Sequence, residues 1–290
     1  MRYRSWMFVP ADSEKKLRKA LSVPADVLIL DLEDSVASRN KAAARELAAG
    51  FLEAAGAERG RSWVRINPLS GPNYEADLDA VMPGGPAGIM LPKARSPEDV
   101  ETLSRLLDGY ESRHGMVAGS TAILPLVTEV PEALFTLGGY GNSGARLAGL
   151  SWGAEDLGAA IGASEVHDGF AGWTPPFELV RNLCLFAAHA ASVPPIDTIH
   201  ADFRDIEGLI DACKEARRDG FAGKLAIHPG QVEIINRTFQ PSEAEIEHAQ
   251  RVVALFETNP DAGVLELDGS MLDRPHLLQA RRILDSTENT

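Results

Sequence analysis

The chain alternates short runs of apolar residues with longer segments of helical periodicity. Most of the apolar runs are nearly continuous, a pattern typical of parallel strands that are covered on both faces. We predict eight strands: Ser5–Val9, Val27–Leu32, Trp63–Ile66, Gly88–Pro92, Ala122–Thr128, Leu147–Trp152, Ile196–His200 and Lys224–His228. Between them the periodicity predicts helices at Ser13–Leu21, Ser38–Ala55, Ser96–His114, Phe177–Ser192 and Asp205–Arg218.

Eight β/α alternations within about 230 residues favour an α/β fold, namely a (β/α)8 TIM barrel. An open doubly wound sheet is the alternative, but no G-x-G-x-x-G motif follows the first strand. We assign residues 1–235 to a barrel catalytic domain and residues 236–290 to a C-terminal helical extension that packs on the barrel or on a neighbouring subunit. The extension contains predicted helices at Ser242–Asn259 and Pro275–Leu284, with a short apolar stretch, Gly263–Leu267, between them.

Composition narrows the range of partners. Of the 290 residues, 44% are hydrophobic and 24% are charged, which is ordinary for a globular protein. The chain has 28 basic and 42 acidic residues, and its formal net charge is −14. Nucleic acids and anionic membranes need a concentrated positive surface, so we expect neither as a partner. A small anionic substrate stays compatible, because a few local Arg and Lys side chains can bind it.

The two cysteines and the N-terminus indicate a cytoplasmic protein. Cys184 and Cys213 belong to no Cys/His cluster, which argues against a zinc site, and two isolated thiols suit a reducing compartment. The first residues contain only a short apolar run before Pro10, which is not the pattern of a signal peptide. No apolar run approaches the roughly 18 residues of a membrane span.

Polar and charged residues follow seven of the eight predicted strands. Active sites of TIM barrels lie at the C-terminal ends of the strands, an edge that we call the mouth. These residues are therefore expected to face one common site. They are Asp31, Glu33, Asp34, Arg65, Asn67, Lys93, Glu129, Glu155, Asp156, His200, Asp202 and His228.

Four of these acids have the chemistry of a magnesium site. Glu129 and Asp156 follow adjacent strands, and Glu33 and Asp34 face the same mouth. Convergent carboxylates without cysteine suit a hard cation that binds through oxygen, and Mg²⁺ is the natural candidate.

A structural interpretation of the same acids stays open. Glu33 and Asp34 could cap the following helix or pair with Lys41 and Arg45. For Glu155, a position in the first turn of the next helix is the better explanation.

Cationic and amide side chains at the mouth suggest substrate binding by Arg65, Asn67 and Lys93. The planar fork of Arg65 suits a carboxylate or a thioester oxygen that becomes negative, although Arg65 could also simply neutralise the acids. Asn67 lies two residues further on, on the same side of the strand. Lys93 is a possible second cation, and a Schiff-base role is less favoured. His200 and His228 could act as a general base, but supporting roles are the simpler interpretation.

Several stretches together resemble one known family. They are FVPADSEKKLRKAL, ADVLILDLEDSVASRNKAAAR, WVRIN, GIMLPK, LPLVTE, RLAGLSWGAEDLGAAIG, LAIHPGQVEIIN and DGSMLDRPHLLQARRIL. This pattern resembles the citrate lyase beta-subunit-like group of the HpcH/HpaI aldolase superfamily, which includes malyl-CoA lyases. The stretches run from Phe8 to Leu284, so the resemblance covers nearly the whole chain.

The resemblance implies a Mg²⁺-dependent carbon–carbon lyase. Such an enzyme cleaves a 3-hydroxyacyl-CoA thioester, for example malyl-CoA, into an acyl-CoA and a 2-oxo acid, or condenses these two in the reverse direction. By this resemblance Glu129 and Asp156 are the metal ligands, Glu33 and Asp34 hold metal-bound waters, and Arg65 contacts the substrate and the enolate oxygen.

Asp273 and the oligomeric state are further implications of the resemblance. Asp273 matches a catalytic acid/base that a neighbouring subunit supplies, which implies a homotrimer or hexamer. The simpler interpretation of Asp273 is an N-cap for the helix that starts near Pro275. Pro131, just after Glu129, departs from the family pattern and leaves the identity of the oxo acid open.

Other activities on the same scaffold stay open. The chain could be a citrate lyase beta subunit that acts on a citryl group carried by an acyl-carrier protein. It could also be a CoA-free aldolase that releases pyruvate, or a thioesterase that hydrolyses a malyl-CoA-type substrate. A non-catalytic barrel is disfavoured because Glu129, Asp156 and Arg65 are all present.

Overall fold

A computed structural model describes residues 3–168 and 172–287 of the chain. The described residues divide into two compact units, residues 3–235 and residues 236–287. Among these residues, no helix combines the length and the apolar character that crossing a bilayer requires.

Eight parallel strands form one sheet in the first unit. They are β1 Ser5–Pro10, β2 Val27–Asp31, β3 Ser62–Arg65, β4 Gly88–Leu91, β5 Ala122–Pro125, β6 Leu150–Ser151, β7 Pro195–Asp197 and β8 Gly223–Ala226. Their order in the sheet is β5-β4-β3-β2-β1-β8-β7-β6. Single parallel bridges, Ile123 to Leu147 and Leu126 to Ser151, link the two edges of the sheet and nearly close it. The predicted (β/α)8 TIM barrel is therefore confirmed.

The barrel interior is built from alternate residues of the strands. A buried apolar cluster takes members from seven strands, and its largest side chains are Trp6 of β1 and Trp63 of β3. Their rings meet edge to face with centroids 5.0 Å apart. Gly88 on the neighbouring strand makes room for them, because a Cβ there would lie 2.4 Å from the Trp63 ring. Inward positions beyond this apolar layer therefore open on the mouth.

Helices surround the sheet. They are α1 Glu14–Ala20, α2 Lys41–Ala54, α3 Tyr74–Val81, α4 Pro97–Arg113, α5 Glu155–Ile161, α6 Pro175–Ala190, α7 Ile206–Asp219 and α8 Pro229–Thr238. Between β5 and β6 the chain forms two 3₁₀ segments, Pro131–Phe135 and Leu137–Asn142, in place of an α-helix.

Several predicted strands were too long at the mouth. The fifth was expected to reach Thr128 but ends at Pro125, and the sixth keeps only two of the residues predicted for it. Leu126 and Val127 stay buried after the strand has ended. The apolar pattern records burial and continues past the last paired residue.

The second unit contains both helices predicted for the extension and, in addition, a hairpin that was not predicted. Helices α9 Glu243–Thr258 and α10 Arg274–Asp285 flank a two-stranded antiparallel hairpin, β9 Val264–Leu267 and β10 Ser270–Asp273. Asp268 and Gly269 form its turn with φ values of 53° and 80°. An Asp-Gly pair between alternating apolar residues is a strong hairpin signal. Both helices and the hairpin contribute to one small apolar cluster.

Candidate active site

Lys93 lies at the centre of the predicted site. Its ammonium Nζ contacts Glu33 Oε1, and it lies 3.0 Å from Asp34 Oδ2 and 3.4 Å from Asp156 Oδ1. Its backbone N–H donates a hydrogen bond of 2.7 Å to Glu129 Oε2. The structure thus brings together the four acids predicted from the sequence, and one residue touches all of them.

The backbone of Lys93 makes these contacts from a strained conformation. Its φ of 51° lies in the left-handed region, which residues other than glycine seldom adopt. Burial alone would lower the pKa of the Lys93 ammonium, but Glu33 and Asp34 beside it raise that pKa above its usual value. Lys93 therefore stays cationic among the acids.

A buried ion pair holds Arg65 in place. Arg65 at the end of β3 lies opposite Asp31 at the end of β2 in the strand register. Its Nε and Nη2 donate to the two Asp31 oxygens at 2.7 and 2.6 Å, and its Nη1 lies 3.1 Å from Glu33 Oε2. The guanidinium also packs over the Phe8 ring, 4.6 Å from the ring centroid. Two forked hydrogen bonds and an aromatic face fix its orientation.

Asp31 also shapes the loop that carries Glu33 and Asp34. Its carboxylate accepts hydrogen bonds from the backbone N–H groups of Glu33 at 2.9 Å and Ser35 at 3.3 Å. Burial opposes its ionisation, but Arg65 holds the pKa of Asp31 below its usual value. Sequence reasoning treated Asp31 only as part of the strand end. The missed signal was an aspartate at the end of an apolar strand, directly opposite an arginine.

Glu33 is nearly enclosed, whereas Asp34 is exposed. Burial raises the pKa of Glu33, although the charges of Arg65 and Lys93 oppose that shift. Lys41 donates hydrogen bonds to the backbone carbonyls of Leu32 and Glu33, at 2.8 and 3.0 Å. The pairing of Glu33 and Asp34 with Lys41 or Arg45 that the sequence left open is therefore not the arrangement found. Their carboxylates point to Arg65 and Lys93 instead.

Glu129 is buried at the end of the fifth strand's apolar run. The neighbouring Gly153 provides room for it, because a Cβ at position 153 would lie 3.0 Å from Glu129 Cγ. Thr128 and Gly153 join the two strand ends through hydrogen bonds in both directions, at 3.1 and 3.2 Å. Burial, together with the charges of Glu33 and Asp156, raises the pKa of Glu129 to about 8. A cation at this position would relieve that cost.

Asp156 and Glu155 both lie in the first turn of α5. Asp156 faces Lys93 and remains about one-third exposed, whereas the other ligand candidate, Glu129, is buried. The three-residue link between β6 and α5 thus places one acid beside the cluster. Glu155 has the first-turn location that the sequence favoured for it.

Asn67 is held by the scaffold. Its side-chain amide donates to the Leu32 carbonyl at 3.1 Å and to Asp77 Oδ2 at 2.6 Å, and Asp77 in turn pairs with Arg45. The predicted substrate-binding role of Asn67 therefore has only its side-chain oxygen left to act through. The amide group itself fixes the loop after β3.

The two histidines predicted near the mouth have local partners. His200 Nε2 lies 3.3 Å from Asp205 Oδ2. His228 stacks on Phe203 with ring centroids 4.8 Å apart, and its Nδ1 accepts the backbone N–H of Gly230. Neither contact involves the acids around Lys93, so both histidines fit supporting roles.

The donor set suits Mg²⁺, but it is not arranged around a metal. Within residues 3–168 and 172–287, no three acidic, histidine or cysteine side chains converge on a common metal position. The Lys93 ammonium instead contacts three of the four acids. All four donors are carboxylates, the ligand type that Mg²⁺ prefers. Glu33 Oε2 is buried and accepts no hydrogen bond from the described residues, so this oxygen can still accept one from a ligand.

Asp273 lies in the second unit, as the N-cap residue of α10. His276 Nδ1 lies 2.6 Å from its Oδ1 and 3.2 Å from its backbone nitrogen. The helix-cap interpretation therefore matches its location in this chain. Its predicted acid/base role depends on a second subunit and stays a prediction.

Comparison with known proteins gives the family. Residues 4–229 match the profile of the HpcH/HpaI aldolase/citrate lyase family. The chain is 34% identical to a (3S)-malyl-CoA thioesterase of Cereibacter sphaeroides, over 99% of this chain and 95% of that protein. It is 32% identical to the mitochondrial citramalyl-CoA lyase of Rattus norvegicus, over 97% of this chain and 85% of that protein.

A solved structure supports the same relationship. The protein CitE from Mycobacterium tuberculosis, in complex with magnesium, acetoacetate and coenzyme A, superposes with a TM-score of 0.81. It is 30% identical and covers 99% of this chain and 98% of its own. The chain is an enzyme of a carbon–carbon lyase group.

Proposed function

We propose a specific reaction from the premise that this chain belongs to the HpcH/HpaI aldolase/citrate lyase family. The protein is a Mg²⁺-dependent lyase that cleaves a 3-hydroxyacyl-CoA thioester such as malyl-CoA, or in reverse forms it by condensation. The products of cleavage are an acyl-CoA and a 2-oxo acid.

The observation that supports this proposal most strongly is the combination of a clamped arginine and four acids at one mouth. Arg65 is fixed by Asp31 and Phe8, and it lies beside Glu33. A retro-aldol cleavage needs a place for an anionic oxo acid and a stabiliser for the enolate that leaves. With Mg²⁺ bound, the four acids would provide the place for the oxo acid, and Arg65 beside them would stabilise the enolate.

Glu129 and Asp156 would hold the metal, and Glu33 and Asp34 would hold its waters. Bound Mg²⁺ supplies charge neutralisation and a template for the oxygen atoms of the oxo acid. Of the five N–H donors of Arg65, two bind Asp31, and Nη1 lies 3.1 Å from Glu33 Oε2 without a hydrogen bond to it. The three N–H groups that do not bind Asp31 would be the donors for an enolate oxygen. A preorganised donor of this kind typically contributes about 100- to 1000-fold in rate.

Carboxyl groups carry out the proton transfers of the reaction. A carboxylate takes the proton of the substrate hydroxyl as the carbon–carbon bond breaks. An acid then delivers a proton to the enolate carbon, and we assign this step to Asp273 of a neighbouring subunit in a homotrimer or hexamer. An aspartate at a helix start is exposed enough to reach a partner, and here it is about one-third exposed.

A thioesterase is the second candidate. The similarity to a protein named (3S)-malyl-CoA thioesterase favours it, since that relative matches almost the full length of both chains. The same site would bind the same thioester, and water would attack the carbonyl that Arg65 polarises.

The test is a panel of malyl-CoA, citramalyl-CoA and related thioesters with the purified chain and Mg²⁺. The lyase releases one 2-oxo acid and one acyl-CoA per substrate, without free thiol. The thioesterase releases free CoA and the hydroxy diacid. Activity that appears only with a citryl group on an acyl-carrier protein and with partner subunits would replace the proposal by a citrate lyase beta subunit. A pyruvate-releasing activity on substrates without CoA would replace it by an aldolase.

A further inference from the structure

Lys93 makes contacts that a substrate-binding lysine would not need. Its ammonium is shared by Glu33, Asp34 and Asp156, and its backbone N–H binds Glu129. A lysine that waits for an anionic substrate would keep its charge free. Here the ammonium forms ion pairs with Glu33, Asp34 and Asp156 instead.

Two further observations concern the position of this charge. The left-handed backbone of Lys93 is a costly conformation, with a φ of 51°, and it directs the backbone N–H to Glu129. Within the described residues the acids do not form a common metal position, and the ammonium lies in contact with three of them. The lysine therefore stands where a cation is needed to hold mutually repelling carboxylates together.

We propose that Lys93 is the built-in counter-cation of the acid cluster and that Mg²⁺ must take Asp156 from it on binding. The proposal rests on the proposed function, since it assumes the metal site named there. Of the three ammonium contacts, the one to Asp156 is the longest, at 3.4 Å. The contact to Glu33 is buried and persists, so the lysine exchanges one partner and keeps the others.

The Lys93 ammonium keeps the carboxylates assembled, but it also lowers their affinity for Mg²⁺. A positive charge that shares its carboxylates with a dication repels it and competes for the same oxygen atoms. Removing that charge should tighten Mg²⁺ binding. Water at the partly exposed Asp34 and Asp156 screens the effect, so we expect about tenfold and not the larger factor of a dry site.

The test is calorimetric titration of the purified full chain with MgCl₂ at constant pH and ionic strength, without substrate. Lys93→Met should lower the Kd for Mg²⁺ about tenfold, whereas Lys93→Arg, which keeps the charge, should stay within threefold of wild type. Lys214→Met is the matched control, because Lys214 is exposed on α7 and pairs only with Asp211 in the described structure. It removes the same charge away from the mouth and should leave the Kd unchanged.

The outcomes separate this inference from the proposed function. An equal or higher Kd for Lys93→Met, with Mg²⁺ binding normally to wild type, would overturn the counter-cation role and leave the lyase proposal standing. Wild-type protein that binds no Mg²⁺ would overturn both. If Lys93→Met has lost its thermal transition, Lys93→Gln replaces it, because the amide still donates to Glu33 without a charge. The same tightening is expected of it, and unchanged binding would refute the role.

Discussion

Asp31→Asn is the perturbation that most clearly separates positioning from simple neutralisation at the mouth. The Asp31 carboxylate accepts two hydrogen bonds from Arg65 and two from the loop of Glu33 and Ser35. It is 1% exposed, so water cannot replace a lost contact. An asparagine keeps one acceptor oxygen and turns an NH₂ group toward donors.

The expected losses follow from these contacts. Removing one partner of a buried ion pair typically costs about 3–5 kcal/mol. Glu33 Oε2 remains 3.1 Å from Arg65 Nη1, so we expect the lower end, about 3 kcal/mol in the free energy of unfolding. Because Arg65 loses its fixed direction, kcat should fall about 100-fold, whereas KM for the thioester should change much less.

Urea denaturation and steady-state kinetics measure the two effects on the same preparations. Glu14→Gln is the control, since it breaks an exposed pair with Arg18 and should change stability by no more than about 0.5 kcal/mol. Wild-type kcat in folded Asp31→Asn would refute the reasoning that Arg65 depends on Asp31. A loss of stability alone, with kcat intact, would reduce Asp31 to a structural residue.

Three other predictions test separate parts of the account. Arg65→Lys should lose about 100- to 1000-fold in kcat, because one ammonium cannot hold both Asp31 oxygens and an enolate oxygen; near-normal turnover would make Arg65 a charge neutraliser. The second prediction concerns Glu111, which pairs with Arg146. Burial alone would raise the pKa of Glu111, but hydrogen bonds from Arg146 lower that pKa to about 2, below the usual value of the unfolded chain. Its contribution to stability is therefore present above about pH 4.5 and is lost as the pH falls toward 2. Glu111→Gln should be about 2 kcal/mol less stable at pH 7, and urea titrations should show this difference shrinking between pH 4.5 and 2, whereas a constant difference would contradict the pairing. Asp273→Asn should be inactive with little change in thermal stability, and reassembly with inactive Glu129→Gln should restore partial activity through hybrid sites; mixed oligomers that stay inactive would return Asp273 to the role of a helix cap.

The barrel could be predicted because burial leaves a strong trace in the sequence. Continuous apolar runs marked all eight strands, and the acids after them pointed to one mouth by topology alone. The same signal failed at strand ends, since Leu126 and Val127 remain buried without strand pairing. Hydrophobicity indicates which residues are buried and not the residue at which strand pairing ends.

Pairings across the site were harder to predict than its members. Lys93 was predicted to bind substrate, whereas its contacts in the structure are with three carboxylates, on a backbone with φ of 51°. The pairing of Asp31 with Arg65 was not predicted because the two residues lie 34 positions apart, and only the strand register brings them together. The hairpin after α9 was not predicted although Asp268 and Gly269 mark its turn, because each of its strands has only four residues and leaves a weak alternating pattern.

The central claim is that the acid cluster beside Arg65 is a Mg²⁺-dependent site of carbon–carbon bond cleavage. Its most direct test is the formation of 2-oxo acid from a malyl-CoA-type thioester, followed against Mg²⁺ concentration for wild type and Glu129→Gln. Wild type should show saturable turnover, with none in excess EDTA, and a folded Glu129→Gln should show none at any Mg²⁺ concentration tested. Full turnover in EDTA, or in the Glu129→Gln variant, would contradict it.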